Sequence, residues 1–253
     1  MPVTPYDDDF FSGQSDGSNI GAKELLPLVL TLIKPSSVLD VGCGVGTWLT
    51  VAGERGILDF LGVDGAYVNP QMLKIPRERF LPHDLQKPLE LNRRFDLVMS
   101  LEVGEHLPES AAQTFVDSLV RHGPVVLFSA AVPGQGGTAH INEQWPRYWA
   151  ERFHGRGYVL IDCVRDRIWN NRLVPVCYRQ NTFLYVEHEF LNSNETLQLE
   201  KSRLKEFPTD LVHPELFAEV LRRPISTRRL LTEAPGAVMR TISIRTKRLL
   251  RGA

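Results

Sequence analysis

A chain of 253 residues that is 43% hydrophobic and 23% charged, with a net charge of −1, has the composition of a globular protein with a sizeable core. No apolar run approaches the ~20 residues that span a bilayer, which excludes a helical membrane protein, and the near-neutral total conceals an asymmetry between an acidic body and a basic tail. Three cysteines (Cys43, Cys163, Cys177) lack metal-type spacing, and the N-terminal stretch is acidic where a secretory signal is basic and then apolar, so a reducing, cytoplasmic setting is expected.

Residues 1–17 are polar, with Gly13 and Gly17 opposing a helix, and read as a flexible arm. Ile20, Leu25, Leu28, Val29 and Leu32 then share one helical face, with Ser18 or Asn19 as N-cap and Pro35 as a stop. The run Val38-Leu39-Asp40-Val41 reads as a buried parallel strand feeding three glycines spaced two apart, Gly42, Gly44 and Gly46, and a helix that stops near Gly56. Glycine is needed in such a turn because a Cβ would block its conformations and the close approach of a ligand.

Leu58–Val63 gives a second strand ending at Asp64-Gly65, and Phe80-Leu81 a brief third ending at His83-Asp84. Phe95–Leu101 is a fourth strand, Pro108–Arg121 a helix and Pro124–Ala130 a fifth strand. A loop with Gly134, Gly136 and Gly137 leads to a helix carrying Trp145, Tyr148, Trp149 and Phe153, of which Trp149 is expected in the core. Tyr158–Cys163 and Thr182–Val186 complete the strands. The polar link between them, Val164–Asn181, marked by Pro175, is expected outside the core, over the sheet's active edge. Thr196–Phe207, Pro214–Arg223 and Ala237–Leu250 read as amphipathic helices. The alternation predicts an α/β fold: a Rossmann-like, seven-stranded, mainly parallel sheet with helices on both faces over residues 1–190, and a helical C-terminal extension over 191–253.

In an open α/β sheet, ligands bind at the carboxyl ends of the strands. Asp40, Asp64 and Asp84 stand near three successive strand ends, Asp64 where a carboxylate accepts ribose hydroxyls and Asp84 where an adenine amine would lie. Taken singly, each is equally a turn former or helix cap. The turn is G-x-G-x-G rather than the G-x-G-x-x-G of dinucleotide folds. With Asp40 ahead of it, it resembles motif I of the class I S-adenosylmethionine (SAM) methyltransferases, a resemblance covering about residues 18–186. It implies SAM as methyl donor, with Asp40, Gly42, Gly44, Gly46, Trp48, Asp64, Gly65, Asp84, Leu85 and Leu101 around it.

After the fourth strand stands Glu102-Val103-Gly104-Glu105-His106. On one helical turn Glu102, Glu105 and His106 fall at i, i+3 and i+4 and converge, a donor set for a divalent ion such as Mg²⁺ or Mn²⁺. Many methyltransferases carry a similar stretch without a metal, the glutamates acting as caps. E-x-x-E-H together with His140, in the loop after the fifth strand, resembles the metal-dependent small-RNA 3′-terminal ribose 2′-O-methyltransferases. That resemblance implies an ion on Glu102, Glu105, His106 and His140 that binds vicinal hydroxyls. The glutamate pair and His also resemble ubiquinone-pathway O-methyltransferases acting on catechols. His140, His106 or a water molecule would take the acceptor proton, which makes Glu102, His106 and His140 the residues expected at the chemical step.

Asn142, Glu143, Trp145 and Tyr148, with Trp169 in the long link, offer the aromatic faces and polar groups that a sugar-like acceptor requires. The stretches Asn19–Trp48 and Phe128–Tyr148 resemble bacterial saccharide-tailoring methyltransferases. The expected activity is therefore O-methylation of a sugar, polysaccharide precursor or other small polyhydroxylated metabolite, with an RNA ribose or a metal-independent small-molecule reaction as alternatives. From residue 221 onward nine Lys/Arg face one acid, Glu233, leaving −9 on the preceding residues. The acidic body speaks against nucleic acid. The tail is a solvated face, a homodimer contact, or an attractor for an anionic carrier or membrane surface.

Overall fold

The structure, a computed structural model, describes residues 8–204 and 209–223, with side chains from residue 16 onward. Seven strands, β1 (Ser37–Val41), β2 (Asp59–Asp64), β3 (Phe80–Pro82), β4 (Leu97–Leu101), β5 (Val125–Ser129), β6 (Tyr158–Ile161) and β7 (Phe183–Glu187), form one sheet. Their order is β3-β2-β1-β4-β5-β7-β6. The first five pair in parallel, and β7 runs antiparallel between β5 and β6. Strand order reverses between β1 and β4, and their carboxyl ends open a crevice there.

β1, β4 and β5 are buried along their whole length, which is why they read as continuous apolar runs. Alternate side chains serve two cores. Val38, Leu97, Met99, Val125 and Leu127 pack under α1 (Asp8–Ile33) and α2 (Thr47–Glu54). Leu39, Val41, Val98, Val126 and Phe128 pack under α3 (Ala112–Arg121) and α4 (Pro146–His154). Trp149 is buried in that second core, 5.2 Å from Phe128, while Phe153 stacks on Tyr185 at 3.9 Å. Burying these rings contributes about 2 kcal/mol each.

Three local expectations are corrected by packing. α1 runs through Gly13 and Gly17, so Ser18 is not a cap; its hydroxyl lies 3.3 Å from that of Tyr178. The glycines that weaken this helix also let it approach its neighbour: a Cβ on Gly21 would fall 2.9 Å from the Tyr178 ring. The long link is buried rather than a polar cover, although its end does lie at the active edge, with Tyr178 on the cleft wall. It folds into α5 (Cys163–Ile168) and α6 (Val176–Asn181), burying Val164, Ile168, Val174 and Tyr178. Its charges are tolerated inside because Arg165 pairs with Asp162, and Arg179 with Glu215 at 2.6 Å. Finally, α3 begins at Ala112 after a 3-10 turn (Glu109–Ala111), because Pro108 is extended (φ −61°, ψ 148°).

The chain divides into two compact units, Met1–Leu216 and Phe217–Ala253. Within the first, α7 (His188–Ser193) and α8 (Glu195–Arg203) bury Leu191 and Leu197 in the first core. α9 spans Pro214–Arg222. Residues 1–7 of the arm, the end of the helix expected to reach Phe207, and the basic tail beyond 223 with its helix at 237–250 lie outside the described residues. Among the described residues, no helix is long and apolar enough to cross a membrane.

Candidate active site

After β1 the chain turns through Gly42 (φ +87°), Gly44 (+54°) and Gly46 (+85°), all left-handed. A Cβ on Gly42 would sit 2.3 Å from Val103, and one on Gly46 2.9 Å from Ile75. The Gly42 and Cys43 amides donate to the Val63 carbonyl at 2.7 and 3.2 Å, tying the turn to the end of β2. Cys43 is buried filler, its sulfur against Gly62.

Asp64 closes β2 with its carboxylate aimed back at this turn. Gly44 N–H donates to Oδ2 at 2.7 Å, and Gly65 N–H and the Tyr67 hydroxyl both donate to Oδ1 at 2.6 Å. Burial pushes the Asp64 carboxyl up, and these hydrogen bonds oppose the shift. Asp40 lies deeper. Burial, helped by the charge of Asp64, pushes its carboxyl up to about 8, and its Oδ2 has no partner.

A cleft lies over the turn, walled by Gly42, Gly44, Trp48, Asp64, Gly65, Asp84, Leu85 and Leu101. Of the expected cofactor residues, Asp40 and Gly46 stand outside its wall. Asp84 is exposed; it accepts from the Gln86 amide at 3.1 Å and pairs with Lys87 at 3.5 Å. Among the residues of the cleft that escaped sequence reasoning are Ser18 on α1, Tyr178 on α6 and Tyr67. Tyr178 meets Trp48 edge-on at 5.2 Å. The donors, carboxylates and glycine cradle suit a nucleoside bearing a charged tail.

Next to this cleft, the Glu102–His106 stretch does not form one α-helical turn. Glu102 is left-handed (φ +55°), its N–H donating to the carbonyl and hydroxyl of Ser129, both at 3.0 Å, and only Gly104–His106 is helical, as a 3-10 turn. The Glu102 carboxylate is therefore turned aside. It accepts from Gln135 Nε2 at 2.7 Å and Asn181 Nδ2 at 3.1 Å, and lines the cofactor cleft.

Glu105, His106 and His140 do converge, offering ligand atoms within 4.8 Å of one another. Glu105 is fully buried, and its carboxylate oxygens make no well-formed hydrogen bond, with only the backbone of Glu105 and Ala131 near enough to favour the charged form. Burial, and then the charge of Glu102, pushes its carboxyl well above the usual range. Burial and the neighbouring His140 push the His106 imidazole down to about 4, so it is neutral at pH 7. The two rings meet edge-on at 4.9 Å.

The glycine loop makes this possible. A Cβ on Gly137 would fall 2.2 Å from His140 Nε2. Glu143 organises the loop, accepting from the amides of Gly134 (2.7 Å) and Gly136 and from His140 Nδ1 (2.9 Å). The Ile141 and Asn142 amides donate to the Glu105 carbonyl at 2.9 and 3.0 Å, joining the loop to the cluster. Asn142 is buried and accepts from Gln144 at 2.9 Å, so it supports the loop. Trp145 is 40% exposed just before α4, and Tyr148 lies under the Arg152 guanidinium at 3.4 Å. Trp169 is elsewhere: it lines a separate cleft with Leu160 and Arg203 and packs on His213 at 4.4 Å.

Similarity to known proteins agrees with this geometry. A family described as "Methyltransferase domain" matches residues 19–162, more than half of the chain. No match is found among curated proteins. Among solved structures, CalS10 from Micromonospora echinaspora, described as an amino pentose methyltransferase, is 14% identical (74% of this chain, 98% of that one, TM-score 0.53). DesVI from Streptomyces venezuelae is 18% identical (71% and 96%, TM-score 0.51). The methyltransferase domain of bacterial CtHen1 is 19% identical (67% and 98%, TM-score 0.51). These likenesses concern the fold. From the family match and the sheet that carries its glycine turn, the chain belongs to the methyltransferase-domain family and is an S-adenosylmethionine-dependent methyltransferase.

Proposed function

We propose that the protein methylates a hydroxyl of a sugar, a polysaccharide precursor or another small polyhydroxylated metabolite, with a divalent cation, Mg²⁺ or Mn²⁺, held by Glu105, His106 and His140. The observation that supports this reading is Glu105, a fully buried carboxylate without a well-formed hydrogen bond, beside two imidazoles. Buried carboxylates are otherwise paired, and a cation here would be the missing partner. Bound SAM supplies an electrophilic methyl group, and the cation supplies positive charge beside the vicinal hydroxyls of the acceptor.

The chain's own groups do the remainder. His106 is neutral at pH 7, the state required of a ligand or a base. With Nδ1 donating to Glu143, His140 carries its lone pair on Nε2. Glu102, fixed by Gln135 and Asn181, sets negative charge on the cofactor wall, where it complements a sulfonium. The acidic body, −9 before residue 221, favours a small polyol over an RNA end. We place the reaction in the cytoplasm, in keeping with three unpaired cysteines.

The test is transfer from labelled SAM to a panel of saccharides, catechols and RNAs. Transfer is expected to saccharides bearing vicinal hydroxyls, to disappear in EDTA, and to return with Mg²⁺ or Mn²⁺. Full activity in excess EDTA would remove the cation, and preference for RNA would remove the saccharide.

A further inference from the structure

A carboxylate that grips two ribose hydroxyls has to keep two acceptor positions open. It offers about four lone-pair sites in all. On Asp64 three are filled, by the amides of Gly44 and Gly65 and by the Tyr67 hydroxyl. One position is left, so a vicinal diol and the present set of donors cannot be served together. The two amides belong to turns of the main chain and cannot withdraw. Tyr67 can, being a side chain on the cleft wall in a residue that is 42% exposed. Its ring is folded flat across Gly65, where a Cβ would lie 2.1 Å from the ring.

We propose that Tyr67 is an internal competitor for the cofactor's ribose: in the free protein its hydroxyl stands where one ribose hydroxyl will stand, and it rotates off Asp64 Oδ1 when the nucleoside binds. This rests on reading Asp64 as the ribose-binding carboxylate. The competition weakens binding of the methyl donor and of its demethylated product, S-adenosylhomocysteine, by the same factor, because the two share the ribose. Its effect on turnover is faster release of that product. It also makes the cleft selective for nucleosides whose intact diol displaces the tyrosine.

The experiment is calorimetric titration of the full-length protein and Tyr67→Phe with S-adenosylhomocysteine and with its 2′-deoxy and 3′-deoxy analogues. Tyr67→Phe removes the competing hydroxyl and keeps the ring that packs on Gly65. It is expected to bind S-adenosylhomocysteine about tenfold tighter than the wild type, the size of one hydrogen bond to a charged group. At least one deoxy analogue, the one that leaves Oδ1 to Tyr67, is expected to gain less than about twofold. Equal or weaker binding by Tyr67→Phe, with both proteins still discriminating against the deoxy analogues, overturns the competition and leaves the ribose reading standing. Absence of binding, or deoxy analogues bound as tightly as the parent by both proteins, overturns the ribose reading and the competition with it.

Discussion

Two carboxylates dominate the active edge. Asp64, at the cofactor cleft, receives three hydrogen bonds, two from main-chain amides of the surrounding turns. Glu105, in the cluster with His106 and His140, has no such set of donors and is more completely buried. The first is held by what the polypeptide backbone supplies, so it is preorganised before any ligand arrives. The second is desolvated, and only the backbone at Glu105 and Ala131 opposes that burial. One site is finished by the chain; the other is not.

Breaking the finished side should have the largest effect. Gly42→Ala places a Cβ against Val103 at a left-handed position, so SAM binding should vanish in calorimetry and thermal stability should fall by about 2–4 kcal/mol. Breaking the unfinished side should do the reverse to stability. Glu105→Met should abolish transfer and preserve SAM binding, yet raise the melting temperature of the metal-free protein by several degrees. The sign of its pH dependence follows from the raised carboxyl. The folded chain retains a proton that the unfolded chain releases above pH 4.5, so wild-type stability falls as pH rises from there. The methionine variant should lose that decline, and its advantage should therefore widen as pH rises above 4.5. The smallest change sharpens the comparison. Gly137→Ala pushes only His140, and should lower kcat about ten- to a hundredfold while melting temperature and SAM affinity stay at wild-type values.

Legibility in the sequence followed the same division. The strand–turn–helix at Val38–Glu54 was readable because apolar run, glycine spacing and helix start are all local. Asp64 and Asp84 were readable as cleft residues because the carboxyl ends of the strands open on the crevice. Trp149 was readable as core from its helical spacing with Trp145, although Trp145 itself is 40% exposed. The E-x-x-E-H stretch revealed the acidic cluster but misplaced Glu102, whose direction depends on amides at Gln135 and Asn181, the latter 79 residues away. Asn181 reaches the edge because β7 is antiparallel, which brings its N-terminal end beside the carboxyl end of β5. Nothing in the residues around position 181 announces that reversal.

The burial of the link at 164–181, though not its place at the active edge, was misread for a related reason. Arg165 and Arg179 look solvent-bound in one dimension and are buried only because Asp162 and Glu215 neutralise them in three. Trp169, expected at the acceptor mouth, follows that buried turn into a different cleft. By itself, then, the sequence determined the sheet, the glycine cradle and the residue types that meet at its edge, since periodicity and turn chemistry are short-range. Only the tertiary structure decided which carboxylate is satisfied and which is left bare, because hydrogen-bond partners and burial are set by segments far apart in the chain.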